Sequence, residues 1–121
     1  MEWEVRFHPA FEREFVKLPE TVQDEVFAYA KLLEVVGPQL KRPYADTLSG
    51  SKHANMKELR INVDDGTWRV AFAFDPTRKG ILLDAGDKSG KPENRFYRRL
   101  IAKADRRLDA HLAQLSNKEN R

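Results

Sequence analysis

The sequence predicts an α+β fold with the element order β-α-α-β-β-β-α, an antiparallel-rich sheet carrying a helical hairpin and a carboxyl-terminal helix. Three observations lead there. Strict alternation of apolar and polar residues marks strands at Trp3 to Phe7 and across Met56 to Phe74. Apolar residues at helical spacing fill the stretch between them. A second helical stripe follows a glycine-lysine loop near residue 90.

Taken in order, Trp3, Val5 and Phe7 point inward from the first strand while Glu2, Glu4 and Arg6 point out. Pro9 opens a helix whose buried side is Phe11, Phe15 and Leu18, and Pro19 interrupts it. The next helix has Thr21 as its expected N-cap, a stripe of Val22, Val26, Tyr29, Leu33 and Val36, and Gly37-Pro38 as its stop. These stripes read as core rather than as a cofactor pocket. Gln39 to Asn55 has no sustained period and is expected to be a long connection, anchored by Leu40, Tyr44 and Leu48.

In the hairpin that follows, Leu59, Ile61, Val63, Trp68, Val70, Phe72 and Phe74 form an apolar face, and Glu58, Arg60, Asn62, Arg69, Ala71 and Ala73 the opposite one. A tight turn at Asp65-Gly66 would set Asn62 against Arg69, Arg60 against Ala71 and Glu58 against Ala73. Small alanines beside an arginine and a glutamate should then leave an open, charged floor, either a functional surface or an ordinary solvated sheet face. Ile81 to Gly86 is a short apolar strand suited to the middle of a sheet. The last helix carries Phe96, Leu100, Ile101, Ala104, Leu108, Leu112 and Leu115. Residues 1–115 are expected to form a single domain, with SNKENR, residues 116–121, as a frayed tail.

Composition narrows the function classes. At 121 residues the chain is long enough for one modest core. No apolar run could span a bilayer and the amino terminus lacks a signal-peptide layout, so a soluble, cytoplasmic protein with no membrane partner is expected. Cysteine is absent and His8, His53 and His111 are scattered, so no metal and no cofactor are expected and the histidines read as ordinary surface or core residues. The net charge of +3 hides an asymmetry. Residues 1–36 carry four Lys/Arg against eight Asp/Glu, leaving a net charge of +7 on residues 37–121. From Asp87 to Arg107 stand Lys88, Lys91, Arg95, Arg98, Arg99, Lys103, Arg106 and Arg107. Such clustering suits a polyanion, since neutralising phosphates releases counterions, although a solvated helix face would also carry it.

The combination of ELR and WRVAFAF on the hairpin, ILLDAGDKSGK leading out of the last strand, and FYRRLIAKAD opening the final helix resembles the RelE/HigB family of toxins, and most of all its phage-derived, HigB-like branch. The resemblance runs from MEWEVRFHPAFEREF to the end of the last helix. It implies a RelE-like fold and the toxin of a type II toxin-antitoxin pair, an mRNA interferase that cuts messenger RNA in the ribosomal A site. It also implies a HigA-like, helix-turn-helix antitoxin, through which alone operator DNA would be reached. Arg60 and Arg69 look like the family's phosphate-holding sheet arginines, Lys88 like its basic residue after the last strand, and Tyr97 like the helical tyrosine of some members. Lys91 and Arg95 compete with Lys88 for its position. At Glu58 relatives with a stronger catalytic set have a lysine, which leaves the general base open.

The chemistry is economical. An RNA 2′-OH already lies beside the adjacent phosphate, so the protein must supply positive donors, a proton acceptor and a proton donor. Arg60 and Arg69 suit the first role because a guanidinium offers two aligned donors and keeps its charge. Glu58 or Lys88 could be the base, and Tyr97 could stack on a base or relay a proton. Glu58 could equally be only an ion-pair partner, and Tyr97 only a packing residue. Lys57, Lys91, Arg95, Arg98 and Arg99 are the expected RNA-binding residues around this set. The alternatives are a non-enzymatic, ParE-like toxin that inhibits gyrase, and a basic RNA- or protein-binding module without activity.

Overall fold

The computed structural model describes residues 2–119. A five-stranded sheet lies between a helical hairpin and one long helix. Its strands are β1 (Glu4–Phe7), β2 (Ala45–Thr47), β3 (Lys57–Val63), β4 (Gly66–Phe74) and β5 (Lys79–Asp87), in the spatial order β1-β5-β4-β3-β2. The helices are α1 (Pro9–Phe15), α2 (Glu20–Val36) and α3 (Glu93–Glu119). All strand pairs are antiparallel except β1 with β5, where Glu4 lies beside Lys79 and Phe7 beside Leu82. This is the expected order with one strand added.

Each face of the sheet has its own core. On one, α1 and α2 bury Phe11, Phe15, Val22, Val26 and Leu33 against Leu59, Ile61, Val70, Phe72 and Leu82. On the other, Phe96, Leu100, Ala104 and Leu108 of α3 cover Met56, Ala71, Ala73, Ile81 and Leu83. The separation follows from the period-2 pleat, which sends successive side chains to opposite faces. Gly37 ends α2 at φ 75, and a Cβ there would meet the Trp3 indole at 2.3 Å, so its position requires glycine twice over.

Several expectations need correction. The two-residue hairpin turn is Asp64-Asp65, because Asp64 itself adopts the left-handed conformation at φ 53. Every cross-strand pair therefore shifts by two: Arg60 faces Arg69, Asn62 faces Thr67 and Glu58 faces Ala71. A shift of two leaves the faces unchanged, which is why the polar set survives the error. The alanine floor is not open. Ala71 and Ala73 are fully buried, their small side chains giving α3 room to approach. The stretch Gln39 to Asn55 contains a short edge strand, β2, too brief for a visible alternation. Thr21 does not cap α2. Pro19 stands at the N-cap, and the Thr21 hydroxyl donates instead to the Asp64 carboxylate at 2.8 Å. Of the expected frayed tail, residues 116–119 are helical, with Lys118 placed to offset the helix dipole and no Gly or Pro to stop the helix; residues 120 and 121 lie outside the described residues. Among the described residues no helix is long and apolar enough to cross a membrane.

Candidate active site

The end of the hairpin nearest its turn escapes the cover of α3, and the polar face is exposed to a cleft there. Arg60 on β3 and Arg69 on β4 sit directly opposite each other in the ladder. With Arg42, Pro43 and Asn62 they line a cleft of about 460 Å³. Arg69 is only 4% exposed, and its Nη1 donates to the Trp68 carbonyl at 3.0 Å. Its buried Nε has no hydrogen-bond partner. Burying a charged donor without a partner is costly, and the nearest compensation for this Nε is the charge of Glu58 at 3.7 Å.

Beneath the arginines lies Glu58, also 4% exposed. Its Oε2 accepts from Arg60 Nη1 at 2.8 Å and its Oε1 from the Tyr97 hydroxyl at 2.8 Å, while Arg69 Nε stands 3.7 Å from Oε1. Tyr97 reaches the sheet from the first turns of α3. Burial pushes its phenol above the ordinary value, and the hydrogen bond it donates to Glu58 raises it further, against a smaller opposing effect of Arg69. The phenol is therefore a donor.

The remaining expected residues divide. Lys88 joins the site: its Nζ lies 5.7 Å over the Tyr97 ring and pairs with Glu93 at 2.9 Å. Lys91 bonds the Asp87 carbonyl of its own loop at 2.7 Å and lies over Phe96. Arg95 and Arg99 line a second cleft of about 730 Å³ between α3 and β5, with Lys103 and Arg106. Arg98 is exposed on α3 and lines neither cleft. Lys57 does not join the others, because alternation places it on the opposite face, where its Nζ bonds the Pro38 carbonyl. Arg42 was missed. It comes from the aperiodic connection before β2, where the only signal was a basic pair followed by proline, and its Nε is paired with Asp46 at 2.8 Å.

The histidines have local structural duties. His8 Nδ1 accepts from the Ala10 amide to cap α1, and His53 and His111 pair with Asp109 and Asp75. Among the described residues no group of acids and histidines is arranged to hold a metal ion.

Comparison with known proteins identifies the family. The model of the phage-derived Gp49-like protein family matches residues 13–109. The chain belongs to this family. It is also 44% identical over 93 residues to the candidate toxin HigB2 of Mycobacterium tuberculosis, covering 76% of this chain and 46% of that protein. With the candidate toxin HigB3 of the same organism it shares 43% over 106 residues, or 87% of this chain and 90% of the relative. The chain thus spans about half of HigB2 and nearly all of HigB3. In fold it resembles a free-state mutant of the E. coli toxin RelE, with a TM-score of 0.61 at 14% identity over 85% of this chain and 97% of that one. It also resembles a chain of the M. tuberculosis toxin-antitoxin complex RelBE2, with a TM-score of 0.54 at 20% identity over 72% of this chain and 99% of that one. The chain is accordingly a HigB-like member of the Gp49-like family, with a fold like that of RelE.

Proposed function

We propose that this protein is the toxin of a type II toxin-antitoxin system and acts as a ribosome-dependent mRNA endonuclease. The observation that carries the reading is the facing pair Arg60 and Arg69, two guanidinium groups from neighbouring strands at one open cleft. In the reaction the RNA 2′-oxygen attacks the adjacent phosphorus and the bond to the 5′-oxygen breaks. The products are a 2′,3′-cyclic phosphate and a free 5′-hydroxyl. Charge accumulates on the phosphate oxygens at the pentacoordinate stage, where preorganised guanidinium donors stabilise it most. Lys88, over the Tyr97 ring, would exchange a proton with the attacking or departing oxygen once freed from Glu93, and Arg42 extends the cationic wall. The arginines of the second cleft, Arg95 and Arg99, supply further positive charge for a polyanion.

Dependence on the ribosome fits the lack of a histidine pair at the site: the ribosome would hold the RNA in the reactive geometry that the protein alone does not impose. The partner is an antitoxin, a reading supported by the RelE-like neighbours solved with theirs, the archaeal RelE-RelB complex of Pyrococcus horikoshii among them. Operator DNA would be contacted through that antitoxin.

Induction of the protein followed by primer-extension mapping of cellular messages tests the reading. Discrete cuts within translated regions are expected, and purified protein should cut a message on translating ribosomes while leaving naked RNA largely intact. Growth arrest with gyrase inhibition and no cut message would reject it in favour of a ParE-like activity.

A further inference from the structure

Glu58 is the acidic residue of the polar floor, and its geometry argues against the obvious use of a carboxylate at a nuclease site. A base for the 2′-OH must offer a free lone pair to the substrate within hydrogen-bond reach. Glu58 is buried, does not line the cleft, and has each oxygen engaged: Oε2 by Arg60, Oε1 by Tyr97 with Arg69 Nε close behind.

We propose that Glu58 is a positioning residue, a two-ended clamp that fixes Arg60 on its own strand and Tyr97 on α3 while serving as the buried counter-charge of Arg69. The proposal rests on the nuclease reading above for its kinetic consequence, and on geometry alone for the clamp. Its two ends lie on different layers of the fold, so the carboxylate joins the start of α3 to the hairpin at the point where the arginines face the cleft. The raised phenol agrees with this, since Tyr97 then donates to Glu58 throughout the neutral range. The charged groups that face that phenol are Glu58, Arg69 and Lys88, with Arg60 across the carboxylate.

The experiment compares wild type, Glu58→Gln, Tyr97→Phe and the double variant on ribosome-bound message from mildly acidic to mildly basic pH. Glutamine keeps the length but offers one acceptor where two donors converge, so the rate should fall on the order of tenfold while the acid limb of the profile stays in place. The double variant should be no slower than the slower single one, because both remove the same bond. Loss of the acid limb in Glu58→Gln, with a fall on the order of 100-fold or more, would make Glu58 the base. A wild-type rate in Glu58→Gln would also overturn the proposal. If Glu58→Gln does not fold, Tyr97→Phe decides alone. Removing a donor from a catalytic carboxylate would raise its pKa and move the acid limb upward, whereas the clamp predicts a slower rate on an unmoved limb.

A readout without RNA separates this idea from the nuclease reading. Ultraviolet titration of the tyrosines, with Tyr97→Phe as the subtraction, should show Tyr97 ionising at lower pH in Glu58→Gln than in wild type. An unchanged titration would refute the clamp whatever the protein does to RNA, and a wild type that cuts no message would refute the nuclease reading with the clamp still decided by the titration.

Discussion

Two charge clusters lie against α3, one partly exposed and one buried, and they are built differently. In the one beneath the middle of α3, Asp84 of β5 and Glu14 at the end of α1 meet Lys103 and Arg107. Arg107 holds both Glu14 oxygens, at 2.7 and 3.0 Å, and the Leu83 carbonyl at 2.8 Å. Two acids and two bases balance. In the cluster at the start of α3, Glu58 alone faces Arg60 and Arg69, and one cation is left over beside a cleft. The first cluster satisfies its charges internally and ties three elements together. The second keeps a surplus positive charge and an unpartnered Arg69 Nε, an imbalance that suits the anionic substrate proposed above.

The sharpest way to break this contrast is to remove one cation from each cluster. Arg69→Ala should leave a folded protein by circular dichroism and lower the rate of message cleavage by on the order of 100-fold or more. A folded Arg69→Ala variant with an unchanged rate would mean that the surplus charge has no catalytic use. Arg107→Ala should do the reverse. It leaves Asp84 and Glu14 to Lys103 alone and takes the side-chain donor from the Leu83 carbonyl, and urea denaturation should show a loss of about 2 kcal/mol, with the rate per folded molecule close to wild type.

A gentler comparison uses pH. Burial holds the Asp84 carboxyl above the ordinary range despite the attraction of Lys103 and Arg107, whereas the Arg107 hydrogen bonds hold Glu14 below it. For Asp84 the folded pKa exceeds the unfolded one, so its contribution is full below the unfolded value and is lost as pH rises through the folded value. For Glu14 the contribution is present above the unfolded value and is lost as pH falls through the folded one. Asp84→Asn should therefore raise the melting temperature at neutral pH, and the difference from wild type should narrow as pH falls through the carboxylate range. A difference that widens in acid would show that the cations, rather than burial, dominate at Asp84.

The contrast also marks what the sequence could reveal. Period-2 alternation is a local property, and it places Glu58, Arg60 and Arg69 on one face even though the observed register lies two residues from the one that Asp65-Gly66 predicts. The register itself depended on Asp64 accepting a left-handed φ, a choice that Asp65-Gly66 appeared in the sequence to offer more cheaply. Whether that face was open depended on α3, which is distant in sequence, and the alanines that looked like an empty floor are the seat for that helix. Arg42 and Glu14 enter their clusters through tertiary approach, with no period to announce it. The lysine on β3 adjacent to Glu58 was grouped by charge alone, and the pleat sent it to the other side.

The parallel pairing of β1 with β5 has a consequence in time. β1 precedes the other four strands in the chain, yet its ladder partner is the one farthest from it in sequence, with Glu4 beside Lys79. Closing so long a loop adds little free energy, about 0.6 kcal/mol per doubling of length, but the closure cannot precede the existence of residues 79–82. The helix that carries Tyr97 and seals Met56, Ala71 and Ala73 emerges later still. A nascent chain halted before α3 has both sheet arginines but neither the phenol nor the cover of its second core. For a protein proposed to stop translation, competence waits on the synthesis of α3.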